Sequence, residues 1–365
     1  MTSGRQAKKA RRTAPAAADS LDRITAERAV RNHHIVPRMY LKQFAGEKLQ
    51  LSVLGAGVGR LLGTKSTRQV AHKPNFYSLP QYASRAYEPE AVEDHFSRNI
   101  ERKSAPVLKK LASVGLGELG EITPAERFDI SRFVATQFVR TPQARQQLMA
   151  PRLMQNMIRE FKFISDILGE PTLEAAIRLA GNLPDEIRNT AAYHAGQMAE
   201  LEPVIGEALS ASQWVLLETV DSLVASDNPV CVTTDAYRSD LLANTVWWLP
   251  VAPHRVLRID TSVDANTPYT QDQHYYLAGQ LNLMAAYRCE SSLYFHPDLA
   301  PRDLDGLTDV MATRRASVSA PLVVVLPEFV AALQSHYDFD LGLTPDELAL
   351  MCEPFAPANG EQMSE

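Results

Sequence analysis

Residues 214–234 read WVLLETVDSLVASDNPVCVTT, and the reading of this stretch decides the fold class. "WVLLETV" (214–220) and "LVASDNPVCVTT" (223–234) are short apolar runs rich in Val, Leu and Thr. Asp221 and Ser222 part them, at the point where a tight hairpin is expected to turn. More β-like runs follow. "WWLPVAPHRVLRID" (247–260) predicts two short strands broken by prolines, and "SSLYFH" (291–296) and "PLVVVLPE" (321–328) predict late strands. A helix is expected over about 270–287, with Tyr276, Leu277, Leu281 and Met284 on one face.

Upstream of about residue 210 the periodicity is helical. Thr123-Pro124-Ala125-Glu126 supplies a capping hydroxyl, a proline suited to the first helical position and a glutamate able to reach back to the cap. Ile130, Phe133, Val134, Gln137 and Phe138 then recur at helical spacing. A second amphipathic stretch covers about 90–111, with Val92, Phe96, Ile100, Val107, Leu108 and Leu111 on its stripe, and Pro106 is expected to kink or divide it. Further helices are expected over about 145–168 and 184–200. Helices first and strands afterwards predict an α+β protein: a largely helical N-terminal half packed on a mixed, mostly antiparallel, β-containing C-terminal half. The expected organisation is a single globular domain over 31–350, helical over 31–210 and β-rich over 211–350. A disordered basic tail (1–30) and a disordered acidic tail (351–365) flank it.

Composition narrows the function classes. The three cysteines, Cys231, Cys289 and Cys352, are far apart and in no C-x-x-C spacing, which argues against a disulfide framework or a cysteine zinc site and favours a reducing cytoplasm. No apolar leader and no long apolar run is visible, so neither a signal peptide nor a membrane span is expected. The net charge of -6 argues against a globally basic nucleic-acid binder. Arg5, Lys8, Lys9, Arg11 and Arg12 nevertheless crowd into a basic arm that can touch phosphates, which makes nucleic acid the one partner suggested by charge. Without interleaved aromatics the plainer reading of the arm is a solubilising terminus.

Several chemistries lack their residues. There is no P-loop, H-E-x-x-H, G-x-S-x-G or kinase signature. Gly55-Ala56-Gly57-Val58-Gly59 misses dinucleotide-binding spacing and reads as a turn.

The positive signal is His33-His34 in "RNHHIVPRMYLKQF" (31–44). "HHIVP" resembles the opening strand of HNH or ββα-metal nucleases, in which one histidine activates water and others hold a cation. That pattern needs an Asn and then a His soon after it. Asn75 follows in "HKPNFYSLP", but the next histidine, His95, lies far beyond, so the match is incomplete. On an extended segment the two imidazoles point to opposite faces. His34, sharing a face with Val36, is the expected inward one, and the assignment reverses if the segment is a turn.

A wider set of landmarks is more specific. "HHIVPRMYLKQFA", "NFYSLP", an acidic helix containing Glu93 and Glu101, "TQFVRTPQAR", "SDNPV", "LPVAPHRVLRI" and Asn282 together resemble a bacterial domain-of-unknown-function family, numbered four-two-three-eight, over roughly 32–297. The resemblance implies a fold unit rather than a reaction. The positions matching its pattern are His33, His34, Pro37, Gln137, Arg140, Pro142, Ser226, Asp227, Asn228 and Pro229.

Physically, Arg140 lies at the end of an apolar helix that Pro142 interrupts. It can clamp a phosphate or carboxylate, or pair internally with Glu93 or Glu101. Asp227 and Asn228 ahead of Pro229 make a tight turn, and the same carboxylate and amide can coordinate Mg²⁺ or orient water. Two readings stand. In a metal-assisted hydrolase, pictured as a nuclease, His34, Asp227, Asn228 and Arg140 are catalytic, and His33, Glu93, Glu101 and Asp227 hold a divalent ion. In a non-catalytic binding or regulatory protein the same His, Arg and Asp-Asn elements form a structural polar network. Convergence of His34, Arg140 and Asp227 on one open pocket favours the first, and mutually satisfied burial favours the second.

Overall fold

The computed structural model describes residues 32–56, 59–77, 91–115, 119–145, 191–234, 242, 244–262, 271–316 and 323–325. The helix expected over 145–168, the first part of that expected over 184–200, both tails and Cys352 lie outside the described residues.

Strand β1 (Asn32–His34) opens the described chain and pairs antiparallel with β4 (His72–Pro74). Between them come a short helix α1 (Arg38–Leu41), entered from Pro37, and the strands β2 (Gln50–Gly55) and β3 (Arg60–Ser66). The segment up to residue 74 is therefore strand-bearing rather than helical as expected. The reason is visible in β2, where Leu51 and Val53 enter the main core while Leu54 enters a second core on the opposite face. A strand buried on both sides is a short continuous apolar run, which periodicity alone does not separate from a buried helical turn. At the two ends of the glycine run, where β2 stops and β3 begins, Gly59, at φ +55°, donates its N–H to Gly55 O at 3.0 Å.

The second amphipathic stretch is one rod in three parts: α2 (Ala91–His95), a wide π segment (Phe96–Glu101) and α3 (Arg102–Leu111). The departure from α geometry lies in the π segment, one turn before Pro106, and the proline itself sits inside α3. Helix α4 (Pro124–Val139) begins at Thr123 with both halves of the capping box in place. The three-residue α5 (Pro142–Ala144) follows, capped by the Thr141 hydroxyl. Helix α6 (Ala191–Ala211) lies along α4, where Arg132 grips Glu202. A Cβ on Gly206 of α6 would stand 3.2 Å from Arg132 Cγ, tighter than an ordinary contact, so the two helices come close at this point.

The remaining strands are β5 (Gln213–Glu218), β6 (Ala225–Ser226), β7 (Cys231–Thr234), β8 (Val246–Ala252), β9 (Arg255–Asp260), β10 (Ser292–Phe295) and β11 (Val323–Val325). Helices α7 (Gln271–Arg288) and α8 (Leu304–Ala316) flank β10 in the chain. One sheet has the order β3-β2-β10-β6, wholly antiparallel; the other is β11-β7-β8-β9-β5, antiparallel except for the parallel β11–β7 pair. Helices beside mostly antiparallel sheets make the fold α+β.

The hairpin expected at Asp221–Ser222 does not form. β5 pairs with β9 and β6 with β10, so the first strand after Asp221–Ser222 enters the other sheet, and the second run rejoins the sheet of β5 only at β7. Asp-Ser lacks the positive-φ preference of a two-residue hairpin turn. The chain is drawn away instead, with Leu223 N–H on Pro253 O at 2.6 Å and Val224 N–H on Asn282 Oδ1 at 2.9 Å. The two strands expected over 247–260 are β8 and β9, and they pair antiparallel with each other. The main apolar cluster runs from Ile35 to Tyr294 and includes Trp247 and Trp248. Their indole N–H groups donate to Thr245 and Thr233 hydroxyls at 3.0 and 3.1 Å, so each buries its large area without an unmet donor.

Candidate functional site

Arg140 ends α4, and its side chain is fully buried. Its Nη1 donates to Glu101 Oε1 at 3.0 Å, its Nε to the Tyr77 hydroxyl at 3.0 Å, and its Nη2 to the His34 carbonyl. The Tyr77 hydroxyl in turn donates to Arg140 O at 3.1 Å. Phe96 and Tyr77 offer ring faces to the guanidinium at 4.7 and 5.3 Å. Burial opposes the charge, yet Tyr77, Glu101 and Glu93 together hold Arg140 above the ordinary arginine value. One cation thus ties β1, the segment after β4, the π segment and α4 together. Of the two uses open to Arg140, the internal ion pair is the one formed, with Glu101 as partner and Glu93 as a more distant neighbour.

The paired histidines do diverge, in the opposite sense to the expectation. His33 is the buried one: its Nδ1 accepts the Tyr77 N–H at 2.8 Å and its ring stacks on Tyr77. His34 is half-buried and meets His72 edge-on across the β1–β4 ladder. Strand β1 ends at His34, so alternation does not carry on, and Ile35 and Val36 are both buried. Burial, then the neighbouring His72, hold the His34 imidazole below its ordinary value against the opposing pull of Glu101. Neither His34 Nε2 nor His72 Nδ1, both shielded from solvent, has a hydrogen-bond partner.

The Ser226–Pro229 turn is a separate centre. The Ser226 hydroxyl donates to Asn228 O at 2.6 Å and accepts the Asn228 N–H at 3.0 Å, while Asn228 Nδ2 donates to Gln143 Oε1 of α5. Asp227 is buried and accepts from Glu290 N–H at 2.8 Å, Ser291 N–H at 2.6 Å and Ser292 N–H at 3.2 Å, besides the Ser291 hydroxyl. Burial pushes this carboxyl up, while the Ser291 and Glu290 hydrogen bonds pull against that shift. Its oxygens are engaged in closing the loop into β10.

The structure therefore brings His34, Arg140 and Glu101 together, with Glu93 near, and sets Asp227 and Asn228 in the loop between β6 and β7. Among the described residues, no group of three or more His, Cys, Asp or Glu could hold a metal ion. Pro37 and Pro142 each open a short helix, and Gln137 is fully buried with neither amide atom hydrogen-bonded. Tyr77, His72, Gln143 and Ser291 complete these networks and were not singled out from sequence. Tyr77 sits in "NFYSLP", a landmark that could have flagged it. The others carry no local signal, because their partners are dozens of residues away. Cys231 and Cys289 are buried, and no helix among the described residues is long and apolar enough to cross a membrane.

Neither a curated protein nor a solved structure matches the chain. Residues 32–298, which span every network described above, match the model of the family described as "Protein of unknown function (DUF4238)", and the chain belongs to that family.

Proposed function

We propose that this chain is a non-catalytic binding or regulatory protein whose His, Arg and Asp-Asn landmarks are its internal scaffold. The observation that carries the reading is the use already made of the strongest candidate side chains. Arg140 spends its donors on Glu101, Tyr77 and the His34 carbonyl, and Asp227 spends its oxygens on residues 290–292. A catalytic or metal-binding role asks for a reacting edge left open, and neither residue keeps one. Three cysteines far apart in the chain suit a reducing cytoplasmic setting. The basic arm at Arg5, Lys8, Lys9, Arg11 and Arg12 is the proposed contact for any nucleic-acid partner.

The metal-assisted hydrolase keeps one observation in its favour, the unpartnered His34 Nε2 and His72 Nδ1 beside the Glu101 carboxylate. The deciding experiment incubates the purified full chain with single- and double-stranded DNA and RNA in Mg²⁺, Mn²⁺ or Zn²⁺. We expect no cleavage. Metal-dependent cleavage that His34→Ala abolishes in a folded protein would overturn the scaffold reading.

A further inference from the structure

Two arginines in this fold present the same chemical edge in opposite circumstances. Arg132 directs Nε and Nη2 at Glu202, bonding Oε1 at 2.7 Å and Oε2 at 3.0 Å, the side-on bidentate grip that a guanidinium makes on a carboxylate. Arg288, at the C-terminal end of α7, is 1% exposed and is held by Nη1 on the Val230 carbonyl. Its Nε and Nη2, the same side-on pair, are buried with no hydrogen-bond partner. Among the described residues no carboxylate lies within ion-pair distance of it. Its titratable neighbour is the Cys231 thiol, which burial pushes up against the pull of Arg288.

An arginine stays charged in a protein, and a buried charge without a counter-ion is strongly disfavoured. The fixed Nη1 anchor also means that the open edge is pre-positioned: the guanidinium does not need to swing for a ligand with two oxygens to meet Nε–H and Nη2–H together.

We propose that the Nε/Nη2 edge of Arg288, behind the Ser226–Val230 loop, is a binding site for a small oxyanion, the carboxylate or phosphate group of a ligand. The site is distinct from the Arg140 network and does not depend on whether that network is scaffold or catalytic. Arg288 was not singled out from sequence, because the feature that marks it is what fails to reach it.

The test uses the full chain. Melting temperature is followed as sodium phosphate, or separately sodium acetate, replaces sodium chloride at constant ionic strength, up to tens of millimolar, and again for Arg288→Gln and Arg288→Lys. The expected result is a concentration-dependent rise of a few degrees in wild type with at least one oxyanion. Arg288→Gln should lose it, and Arg288→Lys, which keeps the charge but not the fork, should lose most of it. A rise with phosphate alone assigns a phosphoryl ligand, and a rise with acetate alone or with both assigns a carboxylate-compatible one. Wild type that melts identically in all three salts overturns the proposal, with no variant needed. A rise that persists undiminished in Arg288→Gln overturns it equally.

Discussion

Arg140 Nη1 and Glu101 Oε1 stand 3.0 Å apart, joining the end of α4 to the end of the π segment, and the arginine is fully buried while the acid keeps an exposed flank. Breaking such a pair from one side costs more than the pair contributes, because the partners left behind lose their donor in a dry site. Arg140→Ala should lower unfolding free energy by about 3 kcal/mol or more. Phe138, two residues earlier, packs its ring 4.8 Å from Trp247 of β8, so the loss should reach the five-stranded sheet. Urea unfolding followed by tryptophan fluorescence and by far-UV circular dichroism should give coincident curves, shifted together. Two separated transitions in wild type would contradict this coupling.

Asp227 is expected to act through stability rather than turnover. Asp227→Ala removes the acceptor for the Glu290, Ser291 and Ser292 amides, and each hydrogen bond to a charged group is worth about 1.5–3 kcal/mol. Hydrogen exchange should speed up at Ser291 and Ser292, and the melting temperature should fall. Unchanged exchange there would show that the loop is held by something else.

His34 gives a pH dependence with a definite sign. Its folded-state value lies below the ordinary 6.5, chiefly because of burial and then His72. As pH falls below about 6.5 the unfolded chain takes up a proton that the folded state resists, so stability drops on acidification and is fully present above that value. His34→Asn should flatten the fall between neutral and mildly acidic pH in thermal melts. An equally steep fall in the variant would assign the effect to another group.

Thr123 and Glu126 form the reciprocal cap of α4, with the Glu126 N–H on the Thr123 hydroxyl at 3.2 Å and the Thr123 N–H on Glu126 Oε2 at 2.8 Å. Thr123→Ala should cost about 1 kcal/mol. Hydrogen bonds from Thr123, with a lesser contribution from Lys110, hold the Glu126 carboxyl below its usual value, so in the variant its NMR titration should move up. No movement would mean that the backbone N–H of residue 123, which the substitution keeps, carries the shift.

Much of the local structure was legible. The α4 cap, strands β8 and β9, α7 and the Ser226–Pro229 turn follow from side chains that act on backbone within a few residues. The candidate residues were legible as polar groups of consequence, because His33, Arg140 and Asp227 are each buried and bonded. Their roles were not. Arg140 was balanced between an external anion and two internal acids, and only the approach of the π segment selected Glu101.

By itself the sequence determined which segments are helix or strand wherever capping, turn chemistry or period acts over one or two turns, and it determined the family. The tertiary structure alone decided that residues 213–218 and 225–226 join different sheets, that His33 rather than His34 is the buried imidazole, and that Arg288 keeps an open fork. The physical reason is range. A cap or turn is settled by neighbours in the chain. The partner of a strand edge or of a buried charge is settled by which distant surfaces pack together, as when Asn282 takes the Val224 N–H or Ser291 meets Asp227.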